Sequence, residues 1–254
     1  MADIQIISNT RHANRTWQRN KDYGFTSQHA ICPVVVAELP RAILSLPVGF
    51  TMLDGAYSPV AILGLEDGQN VVVDAAGNWR GAYIPNNYQC YPFSVAERDD
   101  TLFLCIDEEV AQVSESTTGE PFYDEEGLPT KVVQDLLTFL TANVTGAKKT
   151  AALCQKLSEF KLLEPWPIHY SIAKETKEVA GLYRINEVAL NKLSPELFTE
   201  LRDSGALLLA YCQLLSMTHL QSLIMRAQNL KQSAGNEPNF DDFANDGTIS
   251  FDNL

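Results

Sequence analysis

The chain has 254 residues, with 32 Asp and Glu against 19 Lys and Arg, and a formal net charge of −13. That balance excludes a dedicated nucleic-acid binder, which must present net positive surface to phosphate. A composition 45% hydrophobic and 20% charged excludes a disordered chain, and the length allows one large or two small domains with a real core.

Pro40 in a first turn predicts a short helix over 39–46. The apolar run Pro59-Val60-Ala61-Ile62-Leu63-Gly64-Leu65 reads as a strand, and Asp67-Gly68 as a hairpin turn. Asn70-Val71-Val72-Val73-Asp74 is its β-branched return, with further strands expected at 79–84, 91–95 and 101–106. Short strands at this spacing predict an antiparallel meander. The period then changes. Val133, Leu136, Leu137, Leu140 and Val144 share a helical face behind Thr130 as N-cap. Gly146 punctuates, and 151–163 repeats the pattern. Trp166, Ile168, Tyr170 and Ile172 alternate as a strand, 174–178 is a polar turn, and 182–185 is the returning strand. Ser194-Pro195 starts a helix, and a long helix follows over about 204–230.

Strands first and helices second predict an α+β fold. The expected organisation is a β-rich part (1–128) and a helix-rich part (129–231) forming one compact unit, then a flexible acidic tail (232–254). No internal repeat is evident. The charge is concentrated: residues 97–126 hold eleven acids and one Arg, and residues 236–254 five acids and no base.

Five widely spaced cysteines without a CxxC pair read as buried thiols in a reducing cytosol. No secretory signal opens the chain, which places it in the cytoplasm. Residues 204–225 carry no charge, but Gln213, Ser216, Thr218, His219, Gln221 and Ser222 make a buried core helix the better reading than a membrane span. Neither a metal site nor a cofactor site is expected, and no nucleophile–base arrangement surrounds His12, His29, His169 or His219. The loop 242–253 overlays a calcium-binding loop, but Ala244 and Asn253 stand where oxygen ligands are needed. Phe240, Phe243, Ile249, Phe251 and Leu254 read instead as apolar anchors for docking the tail. Arg11, Arg15 and Arg19 form a solvated basic face or an anion patch. Trp79, Tyr83, Tyr88, Tyr91 and Phe93, among prolines, line either a peptide-binding groove or a core.

The motifs Pro59-Val60-Ala61-Ile62-Leu63-Gly64-Leu65, Gly77-Asn78-Trp79, Tyr83-Ile84-Pro85, Tyr91-Pro92-Phe93, Phe122-Tyr123-Asp124-Glu125-Glu126-Gly127-Leu128-Pro129-Thr130 and Gly181-Leu182-Tyr183-Arg184-Ile185-Asn186-Glu187 together resemble the SapC family. The resemblance covers about residues 11–230. It implies a link to bacterial surface-layer systems or TonB-dependent receptors, beside flavin-dependent halogenase-like and cupin-like proteins, and it carries over no catalytic residues. The expectation is a soluble, non-enzymatic accessory protein that binds a protein or peptide partner. The alternatives are an enzyme working with halogenase-like or cupin-like partners, for which His169, Tyr83 and Asp124 are the first residues to check, and a surface-layer structural subunit.

Overall fold

The computed structural model describes residues 3–116, 118–172 and 175–235. The first half runs β1 (Ile4–Ile6), α1 (Asn9–His12), β2 (Thr16–Trp17), β3 (Ile31–Pro33), α2 (Leu39–Ala42), β4 (Val48–Leu53), β5 (Ala56–Ile62), α3 (Asn86–Gln89), β6 (Phe93–Arg98), β7 (Thr101–Asp107) and β8 (Glu120–Pro121). The second runs α4 (Lys131–Glu159), β9 (Leu163–Pro165), β10 (Ile168–Ile172), β11 (Glu175–Val179), β12 (Leu182–Ile185), α5 (Glu187–Asn191), α6 (Pro195–Ser204), α7 (Ala206–Ser216) and α8 (Leu220–Gly235). The architecture is α+β, as the sequence predicts, but the strands form several separate antiparallel sheets rather than one meander.

A five-stranded sheet in the order β3-β5-β4-β12-β9 carries the larger core. Its β4–β5 hairpin turns at Asp54-Gly55, where φ is 52° and 79°. Positive φ at both positions matches the natural twist of paired strands. The sequence reading put the hairpin one segment later, at Asp67-Gly68. That segment is held differently: Val71 N–H donates to Leu63 C=O (2.8 Å), Arg80 N–H donates to Val72 C=O (2.7 Å), and Val73 makes only an isolated bridge to Trp79. Gly64 permits this crossing, since a Cβ there would lie 1.8 Å from the Gln69 carbonyl oxygen.

The helical half differs from expectation in three places. α4 is one helix of 29 residues running straight through Gly146. Its early residues Val133 and Leu140 enter a smaller core with Trp17, Phe93, Ile106 and Phe122, while Leu153, Cys154 and Leu157 enter the larger one. Burial at both ends outweighs the cost of about 1 kcal/mol for one helical glycine. Next, β10 pairs with β11, where a polar turn was expected, and β12 leaves to pair with β4 and β9. Leu182 and Ile185 are buried and need the core, whereas β11 is polar and sits on an outer hairpin. Finally, the long helix divides into α7 and α8 at a 3-10 turn, Met217–His219, where His219 Nε2 lies 2.8 Å from Ile43 C=O. The polar residues inside α7 are pegs into the sheet: Gln213 accepts from Ile185 N–H (2.9 Å) and donates to Val48 C=O (3.2 Å), and Ser216 Oγ accepts from Val48 N–H (2.9 Å).

The structure also contains a repeated arrangement that the sequence did not disclose. An edge strand (β3), a short helix (α2), a hairpin (β4–β5), an Asp loop and a helix (α3) follow in order, with the edge strand antiparallel to the second hairpin strand. The same order recurs as β1, α1, β6–β7, a second Asp loop and α4, with the equivalent sheet order β1-β7-β6. The second hairpin also turns on two positive-φ residues, Asp99 and Asp100. In the loops, Asp74 Oδ1 accepts from Ala76 and Asn78 N–H, and Asp124 Oδ1 from Glu126 and Leu128 N–H. Arg80 N–H then bonds Val72 C=O as Thr130 N–H bonds Phe122 C=O. One unit is nested inside the other, between α1 and β6.

The N-terminal arginines lie on the solvated surface, as expected, but they are ion-paired rather than free. Arg11 and Arg15 both reach the Glu108 carboxylate (3.0 and 3.3 Å to Oε2), and Arg19 pairs with Glu120. They clasp the acidic middle segment to the N-terminus. All five cysteines are buried free thiols. Burial pushes Cys32 and Cys154 up to about 12 and Cys90 up to about 11, so none is a nucleophile at neutral pH.

Candidate functional site: a groove between a strand edge and the long helix

The β4–β5 hairpin extends beyond β3. The β3–β5 ladder ends with Pro33 opposite Val60, while β5 continues to Ala56. Ladder alternation turns the backbone groups of Tyr57, Pro59 and Ala61 away from β4. Ala61 meets Cys32 of β3, and Pro59 C=O accepts from Val34 N–H (3.1 Å). Among the described residues nothing pairs with the outward N–H and C=O of Tyr57. That stretch of edge faces α4 across open space.

The space consists of two adjoining clefts of about 300 and 610 Å³ that share Ala56, Tyr57 and Ala151. Ala147, Ala151 and Ala152 give α4 a low wall, and Leu53, Tyr57 and Val34 supply apolar surface opposite. Small side chains at this helical spacing keep α4 from filling the slot. At one end stand Asn87 and Asn143, and at the other Gln155, Ser158 and Glu159.

The polar end rests on a buried network. Asn143 Nδ2 donates to Asn87 Oδ1 (2.8 Å), and Asn87 Nδ2 donates to Pro33 C=O (3.1 Å). Behind them Glu38, 1% exposed, accepts from Val35 N–H (2.9 Å), Asn86 N–H (2.8 Å) and the Tyr83 hydroxyl (2.8 Å). Val36 N–H donates to Thr150 Oγ1 of α4 (2.8 Å). Glu38 and Thr150 therefore fix the segment 33–36 that floors the groove, and a buried carboxylate with three donors is satisfied rather than free. Burial, then the nearby Glu38, raise the Tyr83 hydroxyl well above the ordinary tyrosine range, so it stays a donor. The Arg41 guanidinium lies over the Tyr83 ring, 5.3 Å from its centroid.

The aromatic residues singled out in the sequence divide. Trp79, Tyr88 and Tyr91 join one cluster with Tyr23, Phe25 and His29; Phe25 stacks on Tyr91 with centroids 3.7 Å apart, and Trp79 meets Tyr88 edge-on at 6.0 Å. Phe93 packs on Trp17 in the smaller core. Tyr83, Tyr88 and Phe93 are each under a tenth exposed, so they do not line an open groove. Tyr83 and Tyr88 reach the groove indirectly, Tyr83 through Glu38 and Tyr88 through α3, which carries it beside Asn86 and Asn87. Sequence reasoning missed Tyr57, Asn87, Asn143 and Ala151, although the Asp54-Gly55 turn signal marks the hairpin whose edge they border. The anchors Phe240, Phe243, Ile249, Phe251 and Leu254 lie outside the described residues.

No histidine or cysteine lines the groove. His169, Tyr83 and Asp124 occupy an exposed hairpin, the buried Glu38 network and the second Asp loop, and line no common cleft among the described residues. No group of His, Cys, Asp and Glu able to hold a metal ion occurs among the described residues. What the groove offers chemically is an unpaired backbone edge, apolar walls and amide side chains at one end.

No curated protein and no solved structure matches the chain. The SapC family profile matches residues 7–223, which takes in the smaller core, most of the larger one, the groove and the two Asp loops. On that match the chain belongs to the SapC family.

Proposed function

We propose that this protein is a non-enzymatic accessory protein, acting inside the cell, that holds an extended segment of a protein partner in the groove between β5 and α4. The observation that carries the reading is the outward, unpaired backbone of Tyr57 facing a slot beside a helix. An extended peptide satisfies such an edge by adding a strand, while alternate side chains fill flanking clefts. The clefts of about 300 and 610 Å³ give such flanking side chains room. Family membership supports placing the partner in a surface-layer or TonB-dependent uptake system.

The test is selection of peptides from a random display library on the full chain, followed by titration against wild type and Ala151→Arg. Ala151 is exposed on α4, so the substitution blocks the slot without disturbing either core. The expected outcome is at least a tenfold loss of affinity, about 1.4 kcal/mol, with slowed amide exchange at Tyr57 in the wild-type complex. Selected peptides that bind Ala151→Arg as tightly as wild type would remove the groove from consideration.

A further inference from the structure

The two clefts of the groove differ in chemistry. The smaller one, about 300 Å³, is walled by Val34, Val35, Leu53, Ala147 and Ala151, and no charged side chain lines it. The larger one, about 610 Å³, lies toward the Asp54-Gly55 turn and carries Lys148, Gln155 and Glu159. The two charges there do not cancel each other. Lys148 is held at 3.0 Å by Glu97, which does not line the cleft. Glu159 lies 3.8 Å from Lys156, but that lysine sits closer to Glu200, at 2.6 Å. Two lysines thus face three carboxylates, and Glu159 is the one left weakly paired. Gln155 Nε2 donates to its Oε1 (3.0 Å) and holds the carboxylate in place at the cleft wall. The whole chain, at −13, adds to the same negative field.

Register links these clefts to positions in a ligand. A strand that continues the line of β3 runs antiparallel to β5, as both neighbours of β5 do. Its residue opposite Tyr57 exchanges both backbone hydrogen bonds with it. The residues on either side of that one stand opposite Ser58 and Ala56, and directly opposed side chains share a face. Ser58 lines the smaller cleft only, whereas Ala56, next to Gly55, borders the larger one as well. In an antiparallel ligand the residue opposite Ser58 comes first. We infer that the groove selects a basic partner segment in which an apolar residue is followed two positions later by Arg or Lys. The apolar residue fills the uncharged cleft, and the basic residue meets Glu159. This inference rests on the groove being a strand-adding site and gives that site its ligand class.

Charge separates this occupant from the others. The stem of a long basic side chain lies along the apolar part of the larger cleft while its charged head reaches the carboxylate. An acidic residue at the same position meets Glu159 and is repelled. The chain's own residues 236–254 hold five acids and no base, so they lack the residue that the larger cleft selects.

The experiment is selection from a random heptapeptide display library on the full chain at low ionic strength. The most enriched heptapeptide, and versions with its basic residue changed to Gln or Glu, are then titrated by fluorescence anisotropy. The proteins are wild type, Glu159→Gln, Glu159→Lys and Ala151→Arg. Glu159 is exposed at the last position of α4, so its substitution spares both cores, and circular dichroism checks the fold. The expected result is enrichment of an apolar residue followed two positions later by Arg or Lys, in that order. Glu159→Gln weakens the basic peptide about fivefold and leaves the Gln version unchanged, while Glu159→Lys shifts preference to the Glu version. Peptides that lose affinity for Ala151→Arg, yet carry no basic residue or ignore Glu159→Gln, overturn this inference and leave the groove standing. Peptides indifferent to Ala151→Arg, or a library that yields no binder, remove the groove and the inference with it.

Discussion

His12 is fully buried against Phe122, and its Nδ1 accepts the Ser8 N–H at 3.3 Å. Its Nε2 lies 3.1 Å from Glu108 Oε1. Burial is the largest influence and lowers its pKa below the usual 6.5, partly offset by Glu108. The unfolded chain therefore takes up a proton near pH 6.5 that the folded chain resists, and stability falls as pH drops below that point. Glu66 has the opposite origin and the same direction. Hydrogen bonds from Lys177 and Lys231 lower its pKa from 4.5 to about 2, so its contribution is complete above about pH 4.5 and is lost as pH falls toward 2. Urea midpoints measured from pH 7.5 to 3 are expected to decline in two stages. His12→Gln flattens the first stage and Glu66→Gln the second. A wild-type midpoint unchanged between pH 7.5 and 5.5 would refute the assignment to His12.

Single helices and strands show where sequence patterns succeed. Ser194 and Pro195 start α6 as expected, because the Ser194 hydroxyl accepts from Leu197 N–H and proline needs no partner at that position. β6 and β7 fall close to their predicted places because short apolar runs on either side of the polar Asp99-Asp100 turn read as strands. Gly146 misled the reading, since a glycine carries no sign of whether both flanks will be buried. A Cβ at that position would meet Val35 at 3.5 Å, an ordinary contact, and the glycine is helical. Gly146→Ala is therefore expected to raise stability by about 0.5–1 kcal/mol, read as a higher urea midpoint with an unchanged slope. A lower midpoint would mean that Val35 cannot accommodate the methyl group. Val71, Val72 and Val73 misled in the other direction: β-branched residues suit a strand, but the crossing at Gly64 takes their backbone groups first.

For the whole molecule, the α+β class was legible because strand and helix periods separate along the chain. The pairing was not, because periodicity says which face a strand buries and nothing about its neighbour. β12 joins β4 from about 130 residues away, and the groove depends on how far β5 outruns β3, which is a matter of register. The aromatic cluster was conspicuous in sequence and turned inward, whereas the groove is walled by alanines that no motif marks. The concentrated acidity proved partly structural: Glu108 and Glu120 anchor the N-terminal arginines across about 100 positions of chain.

The nesting of one hairpin unit within another sets a sequence of events in time. Ile31 pairs with Ile62, a span of about 30 residues, whereas Ile4 pairs with Asp107, a span of about 100. Closing the larger loop in an unstructured chain costs about 1 kcal/mol more. The difference vanishes once the inner unit has condensed and drawn its two ends together. The cheaper route builds from the inside outward: β3 and its hairpin first, and β1 sealing the molecule last. The groove, whose strand edge belongs to the inner unit and whose helical wall belongs to the outer one, is complete only when both have formed.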